Sequence, residues 1–323
     1  MSSPALEVRN LSVSFDTRAG HAQIVDGISF HIGKGQATGL VGESGCGKSM
    51  TAMAILGLLP ATGVIVKSAG IAVNGKDISE LTGAQKREIL GRDIAMIFQQ
   101  PGTALDPVFT LGQQISSVYR RHQGGSKQQV RQSMLDALEA VGFNEPEEIA
   151  ASYPHQLSGG MQQLSMIAMA TICKPAVLIA DEPSTALDSM TRALILQQLK
   201  RLQTQHQTAI LLISHDLNVI KQSCQDVIVM YCGRLVEKSD CHSLFSHPRH
   251  PYSAGLLSCI PQIGAGRPET IAAIPGQVPL ATELPAGCHF APRCNRAESQ
   301  CQQYVPQFES EHASQHACFR PIP

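Results

Sequence analysis

The octapeptide GESGCGKS, residues 42–49, is the segment that most narrows what this chain can fold into. It fits the pattern G-x-x-x-x-G-K-[ST], in which glycines let successive backbone N–H groups turn inward around an anion. QATGLVG before it reads as a β-strand, and TAMAILGLL after it reads as an apolar helix that ends near Pro60. Strand, glycine loop and helix in that order set a helix N-terminus and its dipole against phosphate groups. Gly42, Glu43, Ser44, Gly45, Cys46, Gly47 and Met50 are therefore expected around a nucleotide's phosphates. Lys48 would reach the β- and γ-phosphates, and the Ser49 hydroxyl would ligate Mg²⁺.

Two further stretches point to the same chemistry. AVLIAD ends in Asp181 and is followed by Glu182, which puts two carboxylates at the carboxyl end of a buried strand, where ligands of open α/β sheets sit. Asp181 is suited to holding Mg²⁺ through water and Glu182 to polarising an attacking water. His215, at the end of AILLISH, is placed to reach the γ-phosphate. Each of these residues alone is weak evidence, because Asp-Glu pairs often begin helices and most histidines are structural.

Around these stretches the periodicity is mixed. EVRNLSVSF and IVDGISFHI open the chain as strands, and IAMIFQ (94–99) reads as a buried one. From Pro107 to about Cys173 the pattern is helical, and Val130, Met134, Leu135, Leu138 and Val141 share one face. Strand and helix then alternate through AVLIADEP, TRALILQQLKRLQ and AILLISHD, the order of a parallel sheet with covering helices. DVIVMYCGRLVEK reads as a hairpin. After His250 prolines multiply and periodicity fades. A chain of 323 residues then divides into an α/β domain, 1–248, with a helical subdomain at about 105–172, and a small loop-rich domain, 249–323.

Composition removes several classes of function. With 43% hydrophobic and 16% charged residues and a net charge of −1, neither a disordered chain nor a nucleic-acid partner is expected. The N-terminus lacks a basic segment leading into an apolar one, and the longest apolar run is broken by Gly57, Pro60 and Gly63. A cytosolic chain without a membrane span is the expectation, and its ten cysteines are then not paired as structural disulfides.

LSGGMQQ, residues 157–163, resembles the signature of ATP-binding-cassette (ABC) ATPases. In that family Ser158, Gly159 and Gly160 form a helix start that serves the γ-phosphate of a nucleotide held by a second cassette. The resemblance implies further that Phe15 stacks on adenine, that Gln99 senses Mg²⁺, that Ala186, Leu187 and Asp188 form a dimer-interface loop, that Glu182 is the general base and that His215 is the switch histidine. The implied fold is an α/β P-loop ATPase core with an antiparallel β subdomain and a helical subdomain. Met50, Gln100 and Leu164 depart from the residues common at their positions; none is a phosphate ligand, although Gln100 lies beside the expected contact with membrane subunits.

HPRHPYSAGLL (247–257), IPGQVP (274–279) and a cysteine-bearing tail resemble the ATPase subunits of dipeptide, oligopeptide and nickel importers. This implies a peripheral subunit on the cytoplasmic face of the inner membrane. Its partners would be a second, homologous cassette, two permeases and an extracytoplasmic solute-binding protein. A soluble non-transport ATPase and a redox-sensing regulator are the alternatives. Cys288, Cys294, Cys301 and Cys318, spaced C-x5-C-x6-C-x16-C, form a donor set for tetrahedral Zn²⁺ or a [4Fe-4S] cluster. The spacing alone leaves zinc, a cluster and unligated thiols open, with His289, His312 and His316 near enough in sequence to substitute in a zinc site. The resemblance leans to the cluster. Cys46 is read as structural, with oxidation sensitivity as an alternative.

Overall fold

The structure, a computed structural model, describes residues 3–17, 20–185, 187–260, 273–311 and 314–323. Ala186 and His312 lie outside the described residues. Strands β1 (Leu6–Thr17), β2 (Gly20–Ile32) and β3 (Ala37–Val41) lead into helix α1 (Lys48–Leu56), as the alternation of apolar residues predicts. Next come three short strands, β4 (Val64–Lys67), β5 (Gly70–Val73) and β6 (Lys76–Asp77), and helix α2 (Gly83–Ile89), for which the sequence carried no strong periodic signal. Strand β7 (Ile94–Ile97) precedes a helical run of α3 (Pro101–Ala104), α4 (Leu111–Gln123), α5 (Lys127–Ala140), α6 (Pro146–Ala151) and α7 (Gly159–Thr171). Then follow β8 (Val177–Asp181), α8 (Ser189–His206), β9 (Ala209–Ile213), α9 (Leu217–Ser223), β10 (Asp226–Tyr231) and β11 (Arg234–Asp240). Helices α10 (Cys241–Ser246), α11 (Pro251–Ser258) and α12 (Ser299–Gln303) and strands β12 (Glu309–Glu311) and β13 (Ser314–His316) complete the chain. Among the described residues no helix is long and apolar enough to cross a membrane.

The described residues form two compact units, one of residues 1–7, 31–37 and 71–212, the other of 8–30, 38–70 and 213–323. In the first, β9, β8 and β7 are successive neighbours, and β7 runs parallel to β8 with Ile97 opposite Ala180. β8 and β9 are buried along their whole length, as continuous apolar strands covered on both faces must be. Helices α2, α4 and α5 each start with a reciprocal capping box, in Thr82/Gln85, Thr110/Gln113 and Ser126/Gln129, which satisfies two otherwise orphaned N–H groups apiece. The expected face of α5 is the buried one: Val130, Met134, Leu135 and Leu138, with Val141 following, all pack inside.

In the second unit β3 lies parallel to β10, Val41 opposite Val229, and β10 turns through Cys232 and Gly233 into antiparallel β11, the expected hairpin. The far edge of β11 is covered by β13, with Glu237 opposite His316, and β13 pairs in turn with β12. The tail thus has more regular structure than its proline content suggested, because an open sheet edge offers unpaired N–H and C=O groups that even a three-residue strand can satisfy. Tyr231, Tyr252 and Phe290 pack with ring centroids 4.6 to 5.3 Å apart and join β10, α11 and the tail. Each such pair contributes about 0.5–1.5 kcal/mol beyond its buried area.

Glu237, fully buried on β11, accepts the N–H groups of Arg249 and His250 at 2.8 Å each and so sets where α11 begins. His250 caps that helix: its Nδ1 accepts the Tyr252 N–H at 3.0 Å, a role open only to the neutral ring. Burial, with nearby His316 adding to it, depresses the His250 pKa to about 3. The unfolded chain therefore binds one more proton than the folded chain between pH 3 and about 6.5, and stability must fall with acid in that window, by roughly 1.4 kcal/mol per pH unit for this group. His250→Asn keeps a capping acceptor without titrating. Urea unfolding at pH 7 and pH 5 is expected to show a smaller loss of stability in that variant than in the parent.

Candidate functional site

The loop 42–49 is shaped by what surrounds it. Gly42 and Gly47 have φ of 155° and 107°. A Cβ on Gly42 would overlap the Met230 carbonyl oxygen, and one on Gly47 would lie 2.7 Å from the Ile24 carbonyl oxygen. Gly45, with φ of 79°, faces open space instead. The loop is thus pinned by backbone on one side and leaves the other clear for a ligand.

Lys48, 7% exposed, sends its Nζ to the carbonyl oxygens of Gly42 at 2.8 Å and Glu43 at 3.0 Å, so the ammonium sits over the loop it belongs to. Cys46 lies beneath, and burial pushes its thiol pKa up against the opposing pull of Lys48. A buried thiol held protonated makes a poor nucleophile, which favours a structural role for Cys46. Thr51 anchors the next turn by donating its hydroxyl to the Gly47 carbonyl at 2.9 Å. His215 is exposed and lines a cavity of about 400 Å³ together with Val41 and Gly42, at the entry to the loop. Phe15 lies half-buried on β1 opposite Val64 of β4.

Three features of the loop's surroundings carry no signal in local sequence. The Tyr252 hydroxyl accepts the Glu43 N–H at 2.8 Å. Arg293 grips the Glu43 carboxylate with both terminal nitrogens, at 2.7 and 3.0 Å. Burial raises the Tyr231 and Tyr252 phenols well above their ordinary range, which keeps both as neutral hydrogen-bonding groups beside this pair.

The remaining expected residues lie in the first unit. Asp181 is buried at the end of β8, and Glu182 follows with a positive φ of 47°. Gln99 donates its side-chain N–H to Glu182 Oε2 at 3.1 Å, and Thr185 donates its hydroxyl to the same oxygen at 2.9 Å. The parallel pairing of β7 and β8 explains the first contact, because it ends the two strands side by side. Thr185 went unnoticed in the sequence, although its place three residues after Glu182 is the spacing of a side-chain bond across a turn.

Ser158 caps α7, accepting the Met161 N–H at 3.3 Å, and Gly159 faces open space. A Cβ on Gly160 would press on Thr191, whose hydroxyl donates to Asp188 Oδ2 at 2.7 Å. Asp188 caps α8, and the backbone and side-chain bonds from Thr191 hold its carboxyl below the usual range. Gly160 thus lets the starts of α7 and α8 come together. Leu164 is buried on α7, a packing role that an arginine there could not fill.

Cys288, Cys294, Cys301 and Cys318 line one small apolar cavity in the tail. Backbone N–H groups point at three of the sulfurs, from Arg296 to Cys294 at 3.4 Å, Glu298 to Cys301 at 3.5 Å and Arg320 to Cys318 at 3.4 Å. Burial raises the thiol pKa values of Cys288, Cys294 and Cys318, the last to about 11. Neither His289 nor His316 lines the cavity. The His289 Nδ1 is 3.0 Å from the Cys232 carbonyl oxygen and His316 sits in β13, whereas His250, the cap of α11, does line the cavity beside the thiols. Among the described residues no group of three or more His, Cys, Asp or Glu side chains is already arranged to hold a metal ion.

Comparison with known proteins agrees with this geometry. The ABC transporter family profile matches residues 25–185, and the profile of the oligopeptide/dipeptide transporter C-terminal region matches residues 236–301. The oligopeptide transport ATP-binding protein AppD of Bacillus subtilis is 45% identical over 304 residues, covering 94% of this chain and 92% of that protein. The dipeptide transport ATP-binding protein DppD of Escherichia coli is 42% identical over 301 residues, covering 93% of this chain and 91% of that protein. A dimeric structure of the ATP-binding cassette MJ0796 in a post-hydrolysis state with ADP and Pi superposes with a TM-score of 0.66 at 24% identity, over 73% of this chain and 98% of that one. That last likeness establishes the fold.

Lys48→Ala removes the ammonium seated over the loop. Titration with a fluorescent ATP analogue is expected to show binding weakened about 10- to 100-fold, the worth of one or two charge-assisted hydrogen bonds. Affinity equal to the parent's would take the loop out of phosphate binding.

Proposed function

The chain belongs to the ABC transporter ATP-binding proteins, in the group that carries the oligopeptide/dipeptide transporter C-terminal region, and on that premise we propose that it powers the import of peptides or of a chemically related small solute. It binds ATP and couples hydrolysis to transport. The observation that carries the peptide reading is the presence of both regions in one chain, at 42–45% identity to peptide-transport ATPases along nearly its full length.

In this reading Gly42 to Gly47 cradle the phosphates, Lys48 adds positive charge at the β- and γ-phosphates, and Met50 closes the first turn of α1. Phe15 stacks on adenine. Ser49, Asp181 and Gln99 are read as the oxygen donors for Mg²⁺, the donor type that ion takes. When bound, that ion neutralises charge on the phosphates. Glu182 accepts the proton of the attacking water. The bonds from Gln99 and Thr185 hold its Oε2 and so orient the carboxylate. His215 stabilises the γ-phosphate. Ser158, Gly159 and Gly160 present a helix start to the nucleotide of a second, homologous cassette, and Asp188 supports the adjoining interface. Exposed Val108 and Phe109, between α3 and α4, form an apolar patch suited to a permease segment. The subunit then sits on the cytoplasmic face of the membrane, beneath two permeases fed by an extracytoplasmic binding protein.

The four tail cysteines are read as the ligands of a [4Fe-4S] cluster. What supports this is the donor set: four thiols in one apolar cavity with N–H groups aimed at sulfur, the one histidine of that lining, His250, spending its Nδ1 on the cap of α11. The bound group would act as a staple on a tail that carries little core of its own.

Two tests follow. Glu182→Gln is expected to lower ATP turnover about 10²- to 10⁴-fold while ATP remains bound, as loss of a general base does. The same variant, tagged and purified from membranes, should bring permeases with it and leave peptide uptake abolished; parental hydrolysis or the absence of any permease sinks the reading. For the tail, anaerobic purification should yield brown protein with about four irons per chain, and acid should strip the metal because the raised thiol pKa values favour protons over metal below neutral pH. Colourless, folded, metal-free protein excludes the cluster, and zinc in its place would establish the alternative.

A further inference from the structure

Glu43 is the second residue of the phosphate loop, yet none of its polar groups is turned towards where phosphate would lie. Its N–H donates to the Tyr252 hydroxyl at 2.8 Å, its carbonyl accepts from Lys48 Nζ at 3.0 Å, and its carboxylate is held by Arg293. Arg293 comes from 250 positions away in sequence, and its side chain is 5% exposed. All of its nitrogens are engaged. Nε donates to the Pro275 carbonyl at 2.8 Å, Nη1 to Glu43 at 2.7 Å and the Tyr231 hydroxyl at 3.3 Å, and Nη2 to Glu43 at 3.0 Å and the Ile274 carbonyl at 3.4 Å. The rings of Tyr231 and Phe290 lie 5.8 and 5.9 Å from the guanidinium carbon.

A buried planar guanidinium bonded at every nitrogen is a fixed post, unlike a surface ion pair that moves with its side chains. Its own position is fixed too. It closes a tight turn in which the Arg293 N–H reaches the Phe290 carbonyl and the Cys294 N–H reaches the Ala291 carbonyl, and that turn is tied at its base by the Cys288 N–H on the Cys301 carbonyl at 2.8 Å. Tyr252 is fixed independently, through the cap by His250 and the buried carboxylate of Glu237. Two anchors from beyond residue 250 therefore grip one residue of the loop, by its backbone and by its side chain.

We propose that Arg293 is a positioning residue for nucleotide binding, holding Glu43 so that the backbone N–H groups of residues 44–48 keep the curvature that cradles phosphate. It touches neither nucleotide nor metal. The C-terminal region thereby tunes ATP affinity as well as stabilising its own fold. This rests on reading the 42–49 loop as the phosphate cradle.

The test uses the full-length chain and compares Arg293→Met, Glu43→Gln, the double variant and Lys48→Ala by titration with a fluorescent ATP analogue, with thermal unfolding of each recorded alongside. Methionine keeps apolar packing volume beside the two rings, and Glu43, partly exposed, can rehydrate. Arg293→Met and Glu43→Gln are each expected to weaken ATP binding about 10-fold, within the usual range of coupling between distinct sites, and to raise KM for ATP far more than they lower kcat. The double variant should be no weaker than the worse single variant, because both remove the same clamp. Arg293→Lys, which keeps charge but loses the fork, should recover part of the affinity. Parental affinity in folded Arg293→Met, or fully additive losses in the double variant, overturns the positioning role. If Arg293→Met fails to fold, Glu43→Gln decides alone: weakened binding supports the role and unchanged binding overturns it. Lys48→Ala keeps the clamp, so full ATP affinity there overturns the loop reading itself, whereas lost affinity there beside parental affinity in Arg293→Met overturns only the clamp.

Discussion

The Met230 carbonyl oxygen approaches Gly42 so closely that no side chain fits between them, because β3 and β10 are hydrogen-bonded parallel neighbours that end together at Val41 and Val229. The phosphate loop must leave β3 at that point, against the backbone of β10, and pass the Ile24 carbonyl again at Gly47. Its curvature is therefore imposed from outside as much as chosen by its own residues. A glycine-rich loop in isolation samples many shapes, and one wedged between two carbonyl groups samples few. Lys48 adds the last restraint by bridging the Gly42 and Glu43 carbonyls.

The same crowding gives the C-terminal region its place. Tyr231 ends β10, and its ring packs on Tyr252 and Phe290, residues delivered by α11 and by the turn before Cys294. Apolar burial brings the tail to the loop, while hydrogen bonds decide what it does there: Tyr252 takes the Glu43 N–H and Arg293 its carboxylate. Glu182 shows the same division of labour in the other unit. Buried β8 carries it to the sheet's edge, and Gln99 and Thr185 orient its carboxylate.

Much of the fold was legible residue by residue. Continuous apolar runs announced β7, β8 and β9, and the 3.6-residue spacing on α5 named its buried face, because both signals record burial by large neighbouring elements. The glycine loop and the Asp181-Glu182 pair were legible for a different reason, residue types at short, fixed spacings, whereas Gln99 and Ser158 were legible only through the resemblance to the family's motifs. Strands β4 to β6 were not, since four residues or fewer hold too little pattern to count. β12 and β13 escaped for a related reason, being strands only because β11 offers them an edge. Where His289 turns was not legible either, because proximity in sequence says nothing about the direction of a ring: its Nδ1 meets the hairpin carbonyl at Cys232.

Sequence by itself determined the chemistry of this protein: a loop that binds phosphate, carboxylates that follow a buried strand, a signature helix start and four thiols in the tail, all written in local spacing that survives without three-dimensional context. Only the tertiary structure decided which distant groups steady that chemistry. Glu43 and Arg293, or Glu182 and Gln99, meet because sheets and an aromatic cluster fold them together, and a hydrogen bond between residues 83 or 250 positions apart leaves no periodicity along the chain to read.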